Sequence, residues 1–172
     1  MLVGVAAVGK TTLGRRAASL CQLPFADTDE TMERSCAVAL ADLSREPGGD
    51  ARIDALLWAT YRTLLAREER TVIAATPRLL GRDDVWRLTR ARAHSIHLRA
   101  TPLVVLARSL AMGEAAGDGH VQPSKAEKAA FYDYYVWRLR HCQRADVALR
   151  LTGSLDVDAE RLASLVAVTG PA

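Results

Sequence analysis

Residues Gly4 to Thr12 read Gly-Val-Ala-Ala-Val-Gly-Lys-Thr-Thr, two glycines five apart followed at once by a lysine and two hydroxyls. These types at this spacing suit one task, the holding of a polyphosphate. Gly4 and Gly9 permit the positive φ and the close backbone approach that a loop wrapped round an anion needs. With Ala7 and Val8 between them, successive N–H groups can turn inward and meet the anion together with the positive end of a following helix. Lys10 is placed to reach β- and γ-phosphates, Thr11 Oγ to ligate Mg²⁺, and Thr12 to complete a nucleotide-binding set. An ordinary glycine turn would leave Lys10 without a purpose.

A second constellation follows. Phe25-Ala26-Asp27-Thr28-Asp29-Glu30 sets two carboxylates two residues apart, just past a short apolar run. A phosphoryl transferase needs a carboxylate beside Mg²⁺ and a group that accepts or orients the acceptor hydroxyl. Asp27 suits the first role and Asp29 the second, the holding of a polyol. The same residues also suit a helix start, with Asp27 or Thr28 as the cap and Asp29 and Glu30 in the first turn.

The elements that must carry these residues alternate short β-like runs with helical stretches. Strands are expected at Leu2–Val5, Leu23–Asp27, Thr71–Ala75, His94–Leu98 and Val147–Leu151. Helices are expected at Thr11–Cys21, Thr28–Ala41, from Ala51 to about Arg67 with Asp50 as N-cap, Asp83–Arg92, from Pro102 to about Met112, Lys125–Arg140 and Asp156–Val168. Gly113–Ser124 is polar, with three glycines, and reads as a lid loop of about residues 113–125. This alternation predicts an α/β fold: a three-layer αβα domain of the P-loop NTPase type with a five-stranded parallel sheet. Ligands of such sheets sit at the carboxyl ends of the strands. The 172 residues fit one domain spanning the whole chain. Met1 stands only three residues before Gly4, short for a strand feeding a phosphate loop, so the reading favours a start inside a longer protein.

Composition narrows the partners. The net charge of +3 is spread along the chain, which suits a small anionic ligand and gives no nucleic-acid signature. No apolar run approaches membrane-spanning length. Cys21, Cys36 and Cys142 lack metal-ligand spacing and read as reduced, packed thiols of a cytoplasmic protein. His94, His97, His120 and His141 show no ligand spacing either. Trp58, Trp86 and Trp137, with Tyr132, Tyr134 and Tyr135, are assigned to packing. A monomer is expected.

The stretch Gly4–Leu13, joined to Leu23-Pro24-Phe25-Ala26-Asp27-Thr28-Asp29-Glu30-Thr31-Met32-Glu33-Arg34, resembles the shikimate kinases, and the likeness continues more weakly over nearly the whole chain. The resemblance implies ATP and Mg²⁺ as cofactors and transfer of the γ-phosphoryl to a hydroxyl of shikimate or a related polyol acid. It assigns Lys10 and Asp27 to catalysis, and Thr11 and Asp27 to the metal. Arg108 falls on the nucleotide side. Asp29 is assigned to the hydroxyls of the small-molecule acceptor, and Arg52 and Arg138 to its carboxylate.

The chain departs from the family pattern in four places. Ala7 stands for the middle glycine of the phosphate loop, and Thr76-Pro77-Arg78 for a triple glycine after the third strand. Gln122 replaces the lid arginine, with Lys125 and Lys128 as nearby cations. Asp54 stands nearest to the glutamate that would orient Arg52. The losses cluster on the acceptor and lid sides. They leave two rivals to a kinase of this type: a weak or inactive nucleotide- or metabolite-binding module, as in the sensor part of a longer regulator, and a gluconate- or nucleoside-type kinase.

Overall fold

The apolar runs form five short strands in the computed structural model, which describes residues 1–115 and 123–168. They are β1 (Leu2–Val3), β2 (Phe25–Asp27), β3 (Val72–Ala74), β4 (Ile96–Arg99) and β5 (Val147–Arg150). The helices are α1 (Lys10–Leu20), α2 (Thr28–Cys36), α3 (Leu40–Arg45), α4 (Gly49–Leu65), α5 (Asp83–Arg92), α6 (Pro102–Ala115), α7 (Lys125–Cys142) and α8 (Leu155–Val168). A 3-10 turn, Pro77–Leu79, follows β3.

All strand pairs are parallel and their order is β2-β3-β1-β4-β5. Leu2 stands opposite both Ala74 and Ile96, and Asp27 stands opposite Ala74. The loops after β1, β2 and β3 therefore emerge side by side at one edge. Alternating strand residues feed two cores. Val3, Ile73 and Ala26 pack with Ile53, Leu57, Tyr61 and Trp86 on one face, while Leu2, Val72, Ile96 and Leu98 pack with Leu13, Ala17, Leu162 and Val166 on the other. Helices on both faces of a parallel sheet make the three layers expected. No helix among the described residues is long and apolar enough to cross a membrane.

Three expectations need correction. The single helix foreseen over Thr28–Ala41 is two, because Ala37 takes φ 54° and ends α2; Glu33 Oε1 then accepts from Leu40 N at 2.7 Å and ties the two pieces. Asp50 does not cap α4. That position belongs to Gly48 at φ 76°, and Asp50 lies in the first turn. Gly49 is required there, since a Cβ on it would stand 1.8 Å from the Leu43 carbonyl oxygen. Finally, residues 113–115 continue α6 and are not loop. The rest of the lid reading, including His120 and Gln122, lies outside the described residues up to Pro123.

Candidate active site

The first site is the loop between β1 and α1. A Cβ at Gly4 would lie 2.8 Å from Val8 Cγ1 and 3.0 Å from the Leu98 oxygen, so the loop passes where only glycine fits. Gly9 takes φ 108° and Ala7 takes φ 58°. The left-handed turn at Ala7 is one that an alanine makes at a cost of about 1–2 kcal/mol. Lys10 opens α1, and its Nζ folds back to donate to the carbonyls of Gly4 (3.1 Å) and Val5 (3.0 Å). Burial lowers the ammonium to about 8, against the attraction of Asp29 and Asp27. A buried cation whose hydrogen bonds among the described residues go to loop carbonyls is poised for an anion.

Thr11 Oγ1 donates to Asp27 Oδ2 at 2.7 Å, which joins the loop to the end of β2. Asp27 Oδ1 accepts from Asp29 N at 2.9 Å and caps α2. The capping reading of Asp27 is thus realised on one carboxylate oxygen, while the other meets Thr11. Beside the loop lies a cavity of about 480 Å³, bordered by Ala7, Gly9, Lys10, Thr11, Thr12 and Arg108 and walled beyond by Met112 and Leu155. Arg108 Nη1 donates to the Val8 oxygen at 2.8 Å and so props the loop from α6. One contributor escaped sequence reading. Asp158, buried in α8, accepts from Thr152 N and Oγ1 (both 2.9 Å) and from Gly153 N (3.1 Å), shaping the turn that borders this cavity. Its only sequence signal is a carboxylate in the first turn of the last helix.

On the other side of the loop is a second cavity, of about 430 Å³, where Asp29, Ile53, Thr76, Arg78, Tyr134 and Arg138 contribute walls. Burial and the neighbouring Asp27 raise Asp29 above the usual carboxylate range, while Thr76 and Lys10 oppose the rise. Its Oδ1 is buried and has no partner among the described residues. Arg138, on α7, lies over the rings of Trp137 (4.5 Å) and Tyr134 (5.4 Å) and donates from Nη1 to the Pro77 oxygen at 2.6 Å. Lys10 thus borders the first cavity and Asp29 the second.

Residues 6–133 match the family model described as shikimate kinase. The chain belongs to the shikimate kinase family. Among curated relatives, the shikimate kinase of Novosphingobium aromaticivorans is 40% identical over 68 residues, 36% of this chain and 35% of that protein. The shikimate kinase of Bradyrhizobium diazoefficiens is 30% identical over 114 residues, 63% of this chain and 51% of that protein. The matched stretch thus spans about a third to a half of the length of these relatives. Among solved structures, shikimate kinase from Acinetobacter baumannii in complex with shikimate superposes with a TM-score of 0.80 at 17% identity, covering 99% of this chain and 93% of that one. At that identity the likeness speaks for the fold.

Among the described residues, Ala7, Gly9, Lys10, Thr11, Thr12 and Arg108 border the first cavity and Asp29 and Arg138 the second, while Arg52 borders neither. Arg52, assigned by resemblance to a carboxylate, is exposed and pairs with Glu46 at 2.9 Å. Among the described residues the wall of the second cavity includes Arg78 and Arg138 but not Arg52. Asp54, expected to orient Arg52, instead accepts from Arg78 Nε. Tyr134, assigned to helix packing, borders the cavity. Trp86 and Tyr135 do pack, donating to the Leu80 (2.8 Å) and Ala100 (2.6 Å) carbonyls. His97 is buried and held down to about 4, which suits the packing role given to it. The three cysteines are unpaired, and the described residues contain no cluster of three metal-binding side chains.

Proposed function

We propose that the protein is an ATP-dependent kinase that moves the γ-phosphoryl group to a hydroxyl of a small polyol acid of the shikimate type. One observation carries this reading: the phosphate loop borders one cavity, while Ala6 of the same loop and Asp29, whose Oδ1 has no partner among the described residues, border a second. Lys10 would leave its loop carbonyls to meet the β- and γ-phosphates, and the N–H groups from Val8 to Thr12 would hold the same oxygens. Arg108 would keep the loop in shape from α6. Asp29 Oδ1 would hold the acceptor hydroxyl and take its proton, because its raised affinity for protons makes it the better base of the pair. Asp27 is already committed to Thr11 and to the α2 cap.

Mg²⁺ fits this donor set. The Thr11 hydroxyl and the Asp27 carboxylate stand side by side at 2.7 Å, two hard oxygens of the kind that hold Mg²⁺ while phosphates and water complete its shell. When bound, the ion would neutralise charge on the phosphates. A coupled ADP-release assay with shikimate and a panel of polyols and sugar acids tests the reading. Turnover that vanishes in Lys10→Ala supports it.

A second reading has its own support. Arg52 faces outward and Pro77-Arg78 fill the place of a glycine segment, so a nucleotide- or metabolite-binding module without turnover also fits. ATP binding with no ADP release on any acceptor would favour it.

A further inference from the structure

Two residues that line the acceptor cavity each hold a buried polar atom without a partner among the described residues, Oδ1 of Asp29 and Nε of Arg138. Both residues line the same space. An unfilled acceptor and an unfilled donor on two lining residues would complement a ligand that brings a hydroxyl to one and an oxygen to the other as these side chains turn toward it. Arg138 is suited to an oxyanion, since its Nη1 is spent on Pro77 while Nε stays free.

Arg78 lines the same space but is differently placed. Its Nε donates to Asp54 Oδ1, and its Nη2 donates to Asp50 Oδ1 at 2.7 Å and to the Asp50 carbonyl at 3.2 Å. Asp50 and Asp54 are four residues apart on α4 and so share a face, presenting two carboxylates to one guanidinium. The turn that carries Arg78 is also held from the other side by the bond from Arg138 to Pro77. Both residues of this link, Pro77 and Arg78, sit where the family pattern has glycine.

We propose that Arg78 is the specificity-determining residue of the acceptor cavity. Fixed by Asp50 and Asp54, it acts as a charge-cancelled wall and not as an anion receptor, so the anionic group of the acceptor is gripped by Arg138 alone. The inference rests on the kinase reading for the kind of molecule that enters.

The test is calorimetric binding of shikimate and of its methyl ester, with ADP and Mg²⁺ present, to the intact chain and to three variants. Asp50→Asn combined with Asp54→Asn frees the guanidinium, and is expected to tighten shikimate at least tenfold while leaving the ester unchanged. Arg78→Met in the Asp50→Asn, Asp54→Asn background removes the guanidinium without baring the two carboxylates, and is expected to return shikimate to within threefold of the parent. Arg138→Met is expected to weaken shikimate at least tenfold. Melting curves with ATP control for folding. Tightening that persists in the variant lacking all three side chains would overturn the assignment, because it would not come from the Arg78 guanidinium. Unchanged shikimate binding in the double variant, or no binding of either probe to any form, would also overturn it. The expected binding pattern without phosphoryl transfer would overturn only the kinase reading.

Discussion

Lys10 should couple nucleotide binding to proton uptake. In the free loop its ammonium is buried against two carbonyls and lowered to about 8. Phosphate oxygens arriving at Nζ favour the charged form, so the bound lysine is protonated throughout the neutral range. At pH 8 about half of the free molecules carry a neutral lysine, and binding then draws in about 0.5 proton per nucleotide. At pH 6.5 the uptake falls to about 0.03, and at pH 9 it reaches about 0.9. Apparent affinity should fall by about tenfold between pH 7 and pH 9, since only the protonated fraction binds well. The phosphates of ATP are fully ionised from pH 8 upward and contribute no slope there. Isothermal titration of ATP and Mg²⁺ in buffers of different ionisation enthalpy reads the proton count directly, with Lys10→Met as the control. Flat affinity from pH 7 to 9, or uptake that persists in Lys10→Met, would refute the reasoning. The same shift fixes the sign for stability. The folded value, about 8, lies below the ordinary 10.5, so the unfolded chain binds the extra proton between them. Stability of the nucleotide-free protein therefore rises with pH across that window, and the penalty is fully present below pH 8.

Other consequences follow from single residues. Ala7→Gly removes a left-handed alanine and should stabilise the fold by about 1 kcal/mol in urea melts; equal or lower stability would contradict the loop geometry. Gly49→Ala forces a Cβ onto the Leu43 carbonyl and should cost about 3 kcal/mol, read as a lowered denaturation midpoint. Asp29→Asn should lower kcat by about 10²-fold or more while ATP affinity stays the same, and a loss confined to ATP affinity would move Asp29 out of the acceptor side. Arg52→Ala should change acceptor KM by less than about threefold, because its partner is the exposed Glu46.

The phosphate loop and the aspartate pair were legible because each is local. Gly4 to Thr12 needs only its own glycines and the start of α1, and Asp27 and Asp29 need only the end of β2. The strand order was open to reading as a class, since alternating apolar runs admit few other arrangements. The acceptor side was not legible, because it is decided at long range. Nothing near Arg52 announces that Gly48 will turn left-handed and leave it beside Glu46. Nor does the spacing of Asp50 and Asp54 show that their partner is Arg78, which arrives from a turn 24 and 28 residues further on. Asp54 was matched to Arg52 by likeness, and tertiary packing gave it to Arg78. Ala37 is a similar case on a smaller scale, a non-glycine left-handed residue that splits an otherwise continuous helical pattern.

The central claim, that this loop hands a phosphoryl group to an acceptor held by Asp29, is tested most directly by ³¹P NMR of ATP, Mg²⁺ and shikimate with the protein and with Lys10→Ala. The account predicts that the γ-phosphorus signal is replaced by that of a phosphate monoester with the intact protein, and is untouched with the variant. ATP left intact by both, or converted only to inorganic phosphate, would contradict it.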